Sequence, residues 1–318
     1  MAAMKKIVIV IPCYREEESL PHTIKQLDKA KELLTGKYDI DVLLVNDGSP
    51  DETQKIINKI ASEYSYIYFR EFSKNVGHQS ALRAGLNAST EYDAVIMMDA
   101  DLQHPPSLIP SMLEHWESGF KIVQMIREDS AEDVGTVRYL VGRAYYSLIN
   151  SISDIKLEYG ASDFRLIDKS VTKTVAASME NNLFLRGYFS WLPVSRVAIK
   201  YAPSKRIAGT SNYTFSKLLK LTYSSIVQFS EKPLRISVEL GLFMAAASFL
   251  YGIVIAIMHF MGLYSVSGWA SLMTVVLFCF GINFILIGII GHYLGHATGL
   301  IKQRPEYVVA NEKLRNRF

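Results

Sequence analysis

Tyr92-Asp93-Ala94-Val95-Ile96-Met97-Met98-Asp99-Ala100-Asp101-Leu102-Gln103 is the stretch on which the reading of this chain turns. Its apolar first part predicts a buried strand over 94–98, and two carboxylates one residue apart, Asp99 and Asp101, follow at once. Acids delivered at the carboxyl end of a strand can converge on one hard divalent cation whose remaining positions accept phosphate oxygens. That chemistry points to a nucleoside diphosphate. An Asp-x-Asp pair is also what a solvated turn contains, so the surrounding chain has to carry the reading.

Working outward, short apolar runs alternate with amphipathic ones. Strands are expected at 6–14, 40–46, 66–71, 94–98 and 121–126, with helices at about 17–34, 52–63, 78–88 and 107–117. Strand and helix in turn imply an α/β fold with a mostly parallel sheet covered on both faces, and ligands in such sheets sit beyond the carboxyl ends of the strands. Those ends read Pro12-Cys13-Tyr14-Arg15-Glu16, Asn46-Asp47-Gly48-Ser49, Asp99-Ala100-Asp101 and Arg127. The Gly-Ser turn after Asp47 could bring backbone donors to a ligand; a helix cap or turn residue is the lesser alternative for Asp47. No glycine fingerprint of a dinucleotide fold or a phosphate loop is present, which argues against hydride transfer and ATP hydrolysis.

The 318 residues are 49% hydrophobic, more than a soluble domain needs. From Leu240 to Ile301 there is no Asp, Glu, Lys or Arg, and the apolar run predicts two membrane spans, roughly 236–260 and 269–294. Lys232 and Arg235 precede the first, Lys302, Arg304, Lys313, Arg315 and Arg317 follow the second, and the loop between carries no fixed charge. Both termini are therefore expected on the cytoplasmic face of the plasma (inner) membrane. The N-terminus lacks the apolar region and cleavage site of a signal peptide. Cys13 and Cys279 fall in different parts of the fold, so no disulfide is expected. A net charge of +3 is too small for a nucleic-acid partner, and its C-terminal cluster suits anionic headgroups. The segments 137–152 and 215–229 mix apolar and basic residues as interfacial helices do. The expected organisation is a cytoplasmic catalytic domain over 1–213, an interfacial helix and linker over 214–234, two transmembrane helices over 235–296 and a basic tail over 297–318.

Five ordered motifs carry a resemblance. Ile9-Val10-Ile11-Pro12-Cys13-Tyr14-Arg15-Glu16-Glu17, Val45-Asn46-Asp47-Gly48-Ser49, Asn75-Val76-Gly77-His78, Asp99-Ala100-Asp101-Leu102-Gln103-His104-Pro105 and Ser162-Asp163-Phe164-Arg165-Leu166 together resemble the inverting family 2 glycosyltransferases. Within them the chain is most similar to the polyprenyl-phosphate glycosyltransferases, over nearly its whole length, including the tail Lys302-Gln303-Arg304-Pro305-Glu306-Tyr307-Val308-Val309.

The resemblance implies a GT-A nucleotide-sugar domain that moves one hexose-type sugar from a nucleotide diphosphate donor to undecaprenyl or a related polyprenyl phosphate at the membrane. UDP-glucose is the first expected donor, followed by UDP-linked amino sugars and GDP-mannose. It implies Mg2+ or Mn2+ as cofactor, membrane lipid as a neighbour and a homo-oligomer, a tetramer being one form. By motif, Pro12, Tyr14, Glu16 and Asp47, with Asp99, Ala100 and Asp101, would bind the nucleotide sugar, and Asp99, Asp101 and Gln103 would hold the metal. Asp163, Asp101 and Arg206 would be catalytic, and Arg127, Arg138, Lys205 and Arg206 would face the lipid phosphate.

Four departures stand out. Arg15 occupies a position often Asn in the family, His78 one often Lys, and Asn212 replaces a basic residue of the mobile loop. Gly291-His292-Tyr293-Leu294-Gly295-His296 replaces both charges of a Gly-Glu-Tyr-Leu-Gly-Arg pattern with histidines, for which a structural place at the lipid interface is expected.

A polyprenyl phosphate is already an anion near neutral pH and needs little from a general base. Asp163 is then either an acceptor-side base or positioning group, or the structural partner of Arg165. A processive polysaccharide synthase would need a Gln-x-x-Arg-Trp motif and more spans; Arg186-Gly187-Tyr188-Phe189-Ser190-Trp191 is a loose echo of that motif. A non-catalytic membrane scaffold that kept the fold is the alternative from another class.

Overall fold

The computed structural model describes residues 4–128, 147, 150–151, 156, 158–178, 180, 183–202, 230–261, 268–302 and 304–315. The first half runs β1 (Lys5–Cys13), α1 (Leu20–Glu32), β2 (Tyr38–Asn46), α2 (Thr53–Glu63), β3 (Ile67–Phe72), α3 (His78–Asn87), β4 (Ala94–Met97), α4 (Ile109–Glu117) and β5 (Ile122–Arg127). Then come β6 (Ala161–Asp168), α5 (Lys169–Ala177), α6 (Leu185–Trp191), β7 (Arg196–Tyr201), α7 (Lys232–Phe260), α8 (Trp269–Lys302) and β8 (Val309–Lys313).

The strands form one sheet in the order β7-β5-β6-β4-β1-β2-β3-β8. Its centre is parallel, β4, β1, β2 and β3 lying side by side in one direction. Two strands run the other way: β6 between β4 and β5, and β8 at the edge beside β3. The five early strands lie within two residues of their expected positions. The sheet is mixed because β6 and β8 run antiparallel to their neighbours; both, like the parallel β7, come from segments where no strand was expected.

β1 is central because it can be: from Ile7 to Cys13 every residue is buried, as a strand covered on both faces requires. Ile7, Ile9 and Ile11 face a core filled by Leu20, Ile24 and Leu27 of α1, Ile57 and Ile60 of α2 and Met112 of α4. Val8 and Val10 face the other core with Ala81, Leu82 and Leu86 of α3, Val171 and Val175 of α5 and Leu185 and Phe189 of α6. A Cβ on Gly85 would lie 2.2 Å from Val10 Cγ1, so the glycine sets how closely α3 approaches the sheet.

α7 and α8 are long and apolar enough to cross a membrane, with mean hydropathy 2.3 in each and most large apolar side chains exposed. Tyr293 Oη donates to the Ser230 carbonyl at 2.7 Å, joining α8 to the chain two residues before α7. After α8 the chain returns to the sheet. Ser73 N–H donates to the Val308 carbonyl at 3.0 Å, Tyr307 stacks on Phe72 with centroids 4.6 Å apart, and β8 pairs with β3. Glu306 accepts from Ser80 Oγ at 2.6 Å and pairs with Arg83 at 3.3 Å, both on α3. Two tail cations expected at headgroups are instead bound to the domain: Lys313 Nζ donates to the Ala61 carbonyl at 2.5 Å and Arg315 Nη1 to Asp41 at 2.6 Å. Arg138, Lys205, Arg206, Asn212, the 215–229 segment and nearly all of 137–152 lie outside the described residues.

Candidate active site

The loops beyond the carboxyl ends of β1, β2 and β4 are stitched together before any ligand is considered. Arg15 N–H donates to Ser49 Oγ at 3.2 Å and Glu16 N–H to Thr53 Oγ1 at 3.0 Å, so the β1 and β2 loops share a wall. Asn46 Oδ1 accepts from both Ser49 N–H (3.1 Å) and Ser49 Oγ (2.6 Å), which shapes the Asp-Gly-Ser turn. Thr23 Oγ1 of α1 donates to the Ala100 carbonyl at 2.6 Å and pins the Asp-Ala-Asp loop. Two non-glycine residues take positive φ here, Arg15 at 59° and Leu102 at 63°. Such backbone persists only where the surroundings over-determine it, and it clusters at functional sites.

Pro12 and Ala100 are buried scaffold, Pro12 within β1 opposite Val45, whereas Tyr14 is exposed at the rim with Arg15 over its ring. Asp47 is 2% exposed, and its carboxylate accepts from Asn75 Nδ2 (2.9 Å), Val76 N–H (2.7 Å) and Gly77 N–H (2.9 Å). Burial raises this carboxyl, against the pull of the two backbone donors. Asp47 thus holds the turn that starts α3, and the first residue of α3 is His78.

His78 is where the site converges. Its Nε2 lies 3.5 Å from Asp99 Oδ1 and 3.4 Å from Asp163 Oδ2. Burial pushes the imidazole down, but Asp99 and Asp163 outweigh it and lift it to about 9. Asp163 arrives because β6 runs antiparallel to β4: Met97 pairs with Arg165, so the start of β6 lies beside the end of β4. The Asp163 carboxylate is 4% exposed and accepts Arg186 Nε and Nη2 at 2.8 Å each, with Gln79 Nε2 at 3.4 Å. Burial alone would raise this carboxyl; Arg186, helped by His78, holds it well below the usual carboxylate range. Arg165, the alternative structural partner, stands back at 3.9 Å.

Asp99 Oδ1 is buried without a hydrogen-bond partner, and Asp99 N–H donates to His104 Nδ1 at 2.8 Å. Asp101 accepts from Gln103 N–H at 3.1 Å. Gln103 Oε1, expected at a metal, accepts from Arg127 Nη1 at 3.1 Å, so the described arrangement ties Arg127 to this loop. Among the described residues no group of three or more His, Cys, Asp or Glu is arranged to hold a metal. Two neighbouring carboxylates, one with a buried oxygen that accepts no hydrogen bond and has His78 3.5 Å away, still suit a hard cation that takes its other oxygens from phosphate and water.

The structure therefore brings Asp99, Asp163 and His78 together, places Gln103 against Arg127, and keeps Asp47 behind them as a support. Gln79 and Arg186 were missed as site residues. Arg186 is the one charge in Leu183-Phe184-Leu185-Arg186-Gly187-Tyr188, a signal that a buried partner awaits it, but nothing local names that partner. An open cavity of about 730 Å³ bounded by Lys6, Asp93, Asp168 and Arg315 lies at the opposite, amino end of the strands.

Comparison with known proteins gives matches in both halves. Residues 8–176 match Glycosyl transferase family 2, and residues 232–297 match the GtrB C-terminal hairpin. The chain is 36% identical over 308 residues to the bactoprenol glucosyl transferase of Shigella phage SfV, covering 97% of this chain and 99% of that one. It is 35% identical over 308 residues to the prophage bactoprenol glucosyl transferase homolog of Escherichia coli (strain K12), covering 97% and 99%. An uncharacterized glycosyltransferase of Bacillus subtilis (strain 168) is 32% identical, covering 95% and 92%.

Proposed function

This chain belongs to glycosyl transferase family 2, and we propose that it transfers a single hexose-type sugar, with inversion, from a nucleotide diphosphate donor to a polyprenyl phosphate at the cytoplasmic face of the membrane. UDP-glucose is the donor we favour, by likeness to relatives named glucosyl transferases. One observation carries the reading: the cluster of Asp99, His78 and Asp163 lies at the carboxyl end of the sheet, and the second apolar helix returns to that same end, where Val309 pairs with Phe72. A site so placed can meet a phosphate held at a bilayer surface. This also supports spans at α7 and α8 with both termini cytoplasmic.

In the reaction an acceptor phosphate oxygen forms a bond to the anomeric carbon while the bond from that carbon to the donor diphosphate breaks. Asp99 and Asp101 would hold Mg2+ or Mn2+, which when bound supplies Lewis-acid stabilisation of the leaving diphosphate. The chain's own residues prepare the ground. Asp47 fixes the turn that presents His78, and the Thr23 bond to Ala100 holds the Asp-Ala-Asp loop in place. Arg127, with Arg138, Lys205 and Arg206, supplies cations for phosphate; Tyr14 and Glu16 line the nucleoside side.

The test is transfer of labelled sugar from a panel of UDP- and GDP-sugars to undecaprenyl phosphate by the purified protein in detergent. A lipid-soluble product that is lost with chelator and in Asp101→Asn is expected. Folded, metal-supplied protein that makes no lipid product from any donor would favour a scaffold instead.

A further inference from the structure

We propose that Arg186 binds the phosphate of the acceptor and that Asp163 is its positioning residue, not a proton acceptor; this rests on the transfer to a polyprenyl phosphate proposed above. The pairing is side-on and bidentate. Nε and Nη2 meet the two Asp163 oxygens at 2.8 Å each, which takes one edge of the guanidinium and leaves its direction no freedom. The carboxylate is 4% exposed and the arginine 29%, so the acid is buried and the cation is the more exposed member of the pair.

The surroundings of Asp163 fit a group built to hold a cation. Gln79 donates to it, His78 Nε2 stands 3.4 Å away, and Arg165 at 3.9 Å adds a second guanidinium. Arg165 is itself fixed, donating to the Ser162 carbonyl at 2.9 Å and lying 4.7 Å over the Phe189 ring of α6. Gln79 Oε1 accepts from Leu185 N–H at 3.3 Å, which ties the start of α6, and so the backbone of Arg186, to α3. A carboxylate so surrounded is a poor proton acceptor. The reaction also has little use for one. A phosphate monoester near pH 7 is largely ionised, so its oxygen attacks the anomeric carbon with its own electron pair, the pair of the broken bond leaves on the diphosphate, and no proton moves. Such an acceptor needs a cation at the attacking end, and a planar fork fits phosphate better than a point charge.

The experiment compares wild type with Arg186→Gln, Arg186→Lys, Asp163→Asn and the double variant. It measures steady-state transfer to undecaprenyl phosphate, binding of farnesyl phosphate by calorimetry, binding of UDP, and melting temperature. Losing the charge-assisted contact is expected to raise the acceptor KM about tenfold or more in Arg186→Gln, with a smaller rise in Arg186→Lys and UDP binding unchanged. Asp163→Asn should shift acceptor KM and farnesyl phosphate binding in the same direction, keep the wild-type shape of the pH profile, and add nothing in the double variant. The proposal is overturned if Asp163→Asn abolishes kcat with farnesyl phosphate binding intact, as loss of a base would, or if folded Arg186→Gln and Arg186→Lys bind farnesyl phosphate like wild type. Wild-type turnover checks the reaction class separately. Arg186-dependent farnesyl phosphate binding without any lipid-linked product would remove the transferase reading and leave the phosphate site standing.

Discussion

Gly48 has φ +60°, and a Cβ there would lie 2.4 Å from the Lys74 carbonyl carbon. Both the backbone conformation and the space exclude a side chain, so Gly48→Ala should destabilise the protein by about 3 kcal/mol and lower its melting temperature. Arg15 at φ +59° is a milder case of the same geometry. Asn tolerates the left-handed region better than Arg, which is a physical reason for the family's preference there. Asp168 illustrates a charge used for stability. It caps α5 through Ser170 N–H (3.0 Å) and accepts from Trp116 Nε1 (2.9 Å) and Lys121 Nζ (3.0 Å). Burial raises its carboxyl, but the Ser170, Trp116 and Lys121 donors outweigh that and bring it from 3.8 to about 2. Because the folded value is depressed, the stabilisation is complete above about 3.8 and is lost as pH falls through about 2. Acid unfolding of wild type and Asp168→Asn should therefore differ by about 2 kcal/mol near neutral pH and converge toward pH 2.

α3 is the element that joins three parts of the molecule. Its first residues, His78 and Gln79, face Asp163; Ser80 and Arg83 hold Glu306 of the tail; Arg83 also donates to the carbonyls of Ser178 and Glu180. Glu306 and Arg83 are both 9% exposed in their side chains, so removing one partner leaves a buried charge behind. Glu306→Ala should cost about 3 kcal/mol and free β8 for proteolysis, detectable as cleavage after residues 304–315 under conditions where wild type stays intact. Protection equal to wild type would mean that strand pairing with β3 alone secures the tail.

For the whole molecule, two apolar helices leave the domain after Ser230 and return at Arg304, so the sheet is completed only by chain that has passed through the hairpin. The site and the return point share one end of the sheet, where Asp99, His78 and Asp163 are gathered. If Asp99 and Asp101 hold the metal as proposed, they act chiefly on charge that develops on the leaving diphosphate, so Asp99→Asn should lower kcat by about a hundredfold or more with a smaller change in donor KM, and chelation should reproduce the loss. Equal losses in donor binding and turnover would place Asp99 in ground-state recognition.

The early β and α elements, the acids at the strand ends and the two long apolar helices were determined by the local order of residues: alternation, β-branched runs and uninterrupted hydrophobicity are short-range signals. Asp99 and Asp101 were legible for the same reason, being two residues apart after an apolar run. Only the tertiary structure decided that β6 runs antiparallel beside β4, which brings Asp163 to Asp99 across more than sixty residues of chain. It alone chose Arg186 over the near neighbour Arg165 as the partner of Asp163, made His78 the bridge between two acids, and turned the basic tail into an edge strand. These pairings depend on strand direction and on burial shared between distant segments, and neither is written in the spacing of residues along the chain.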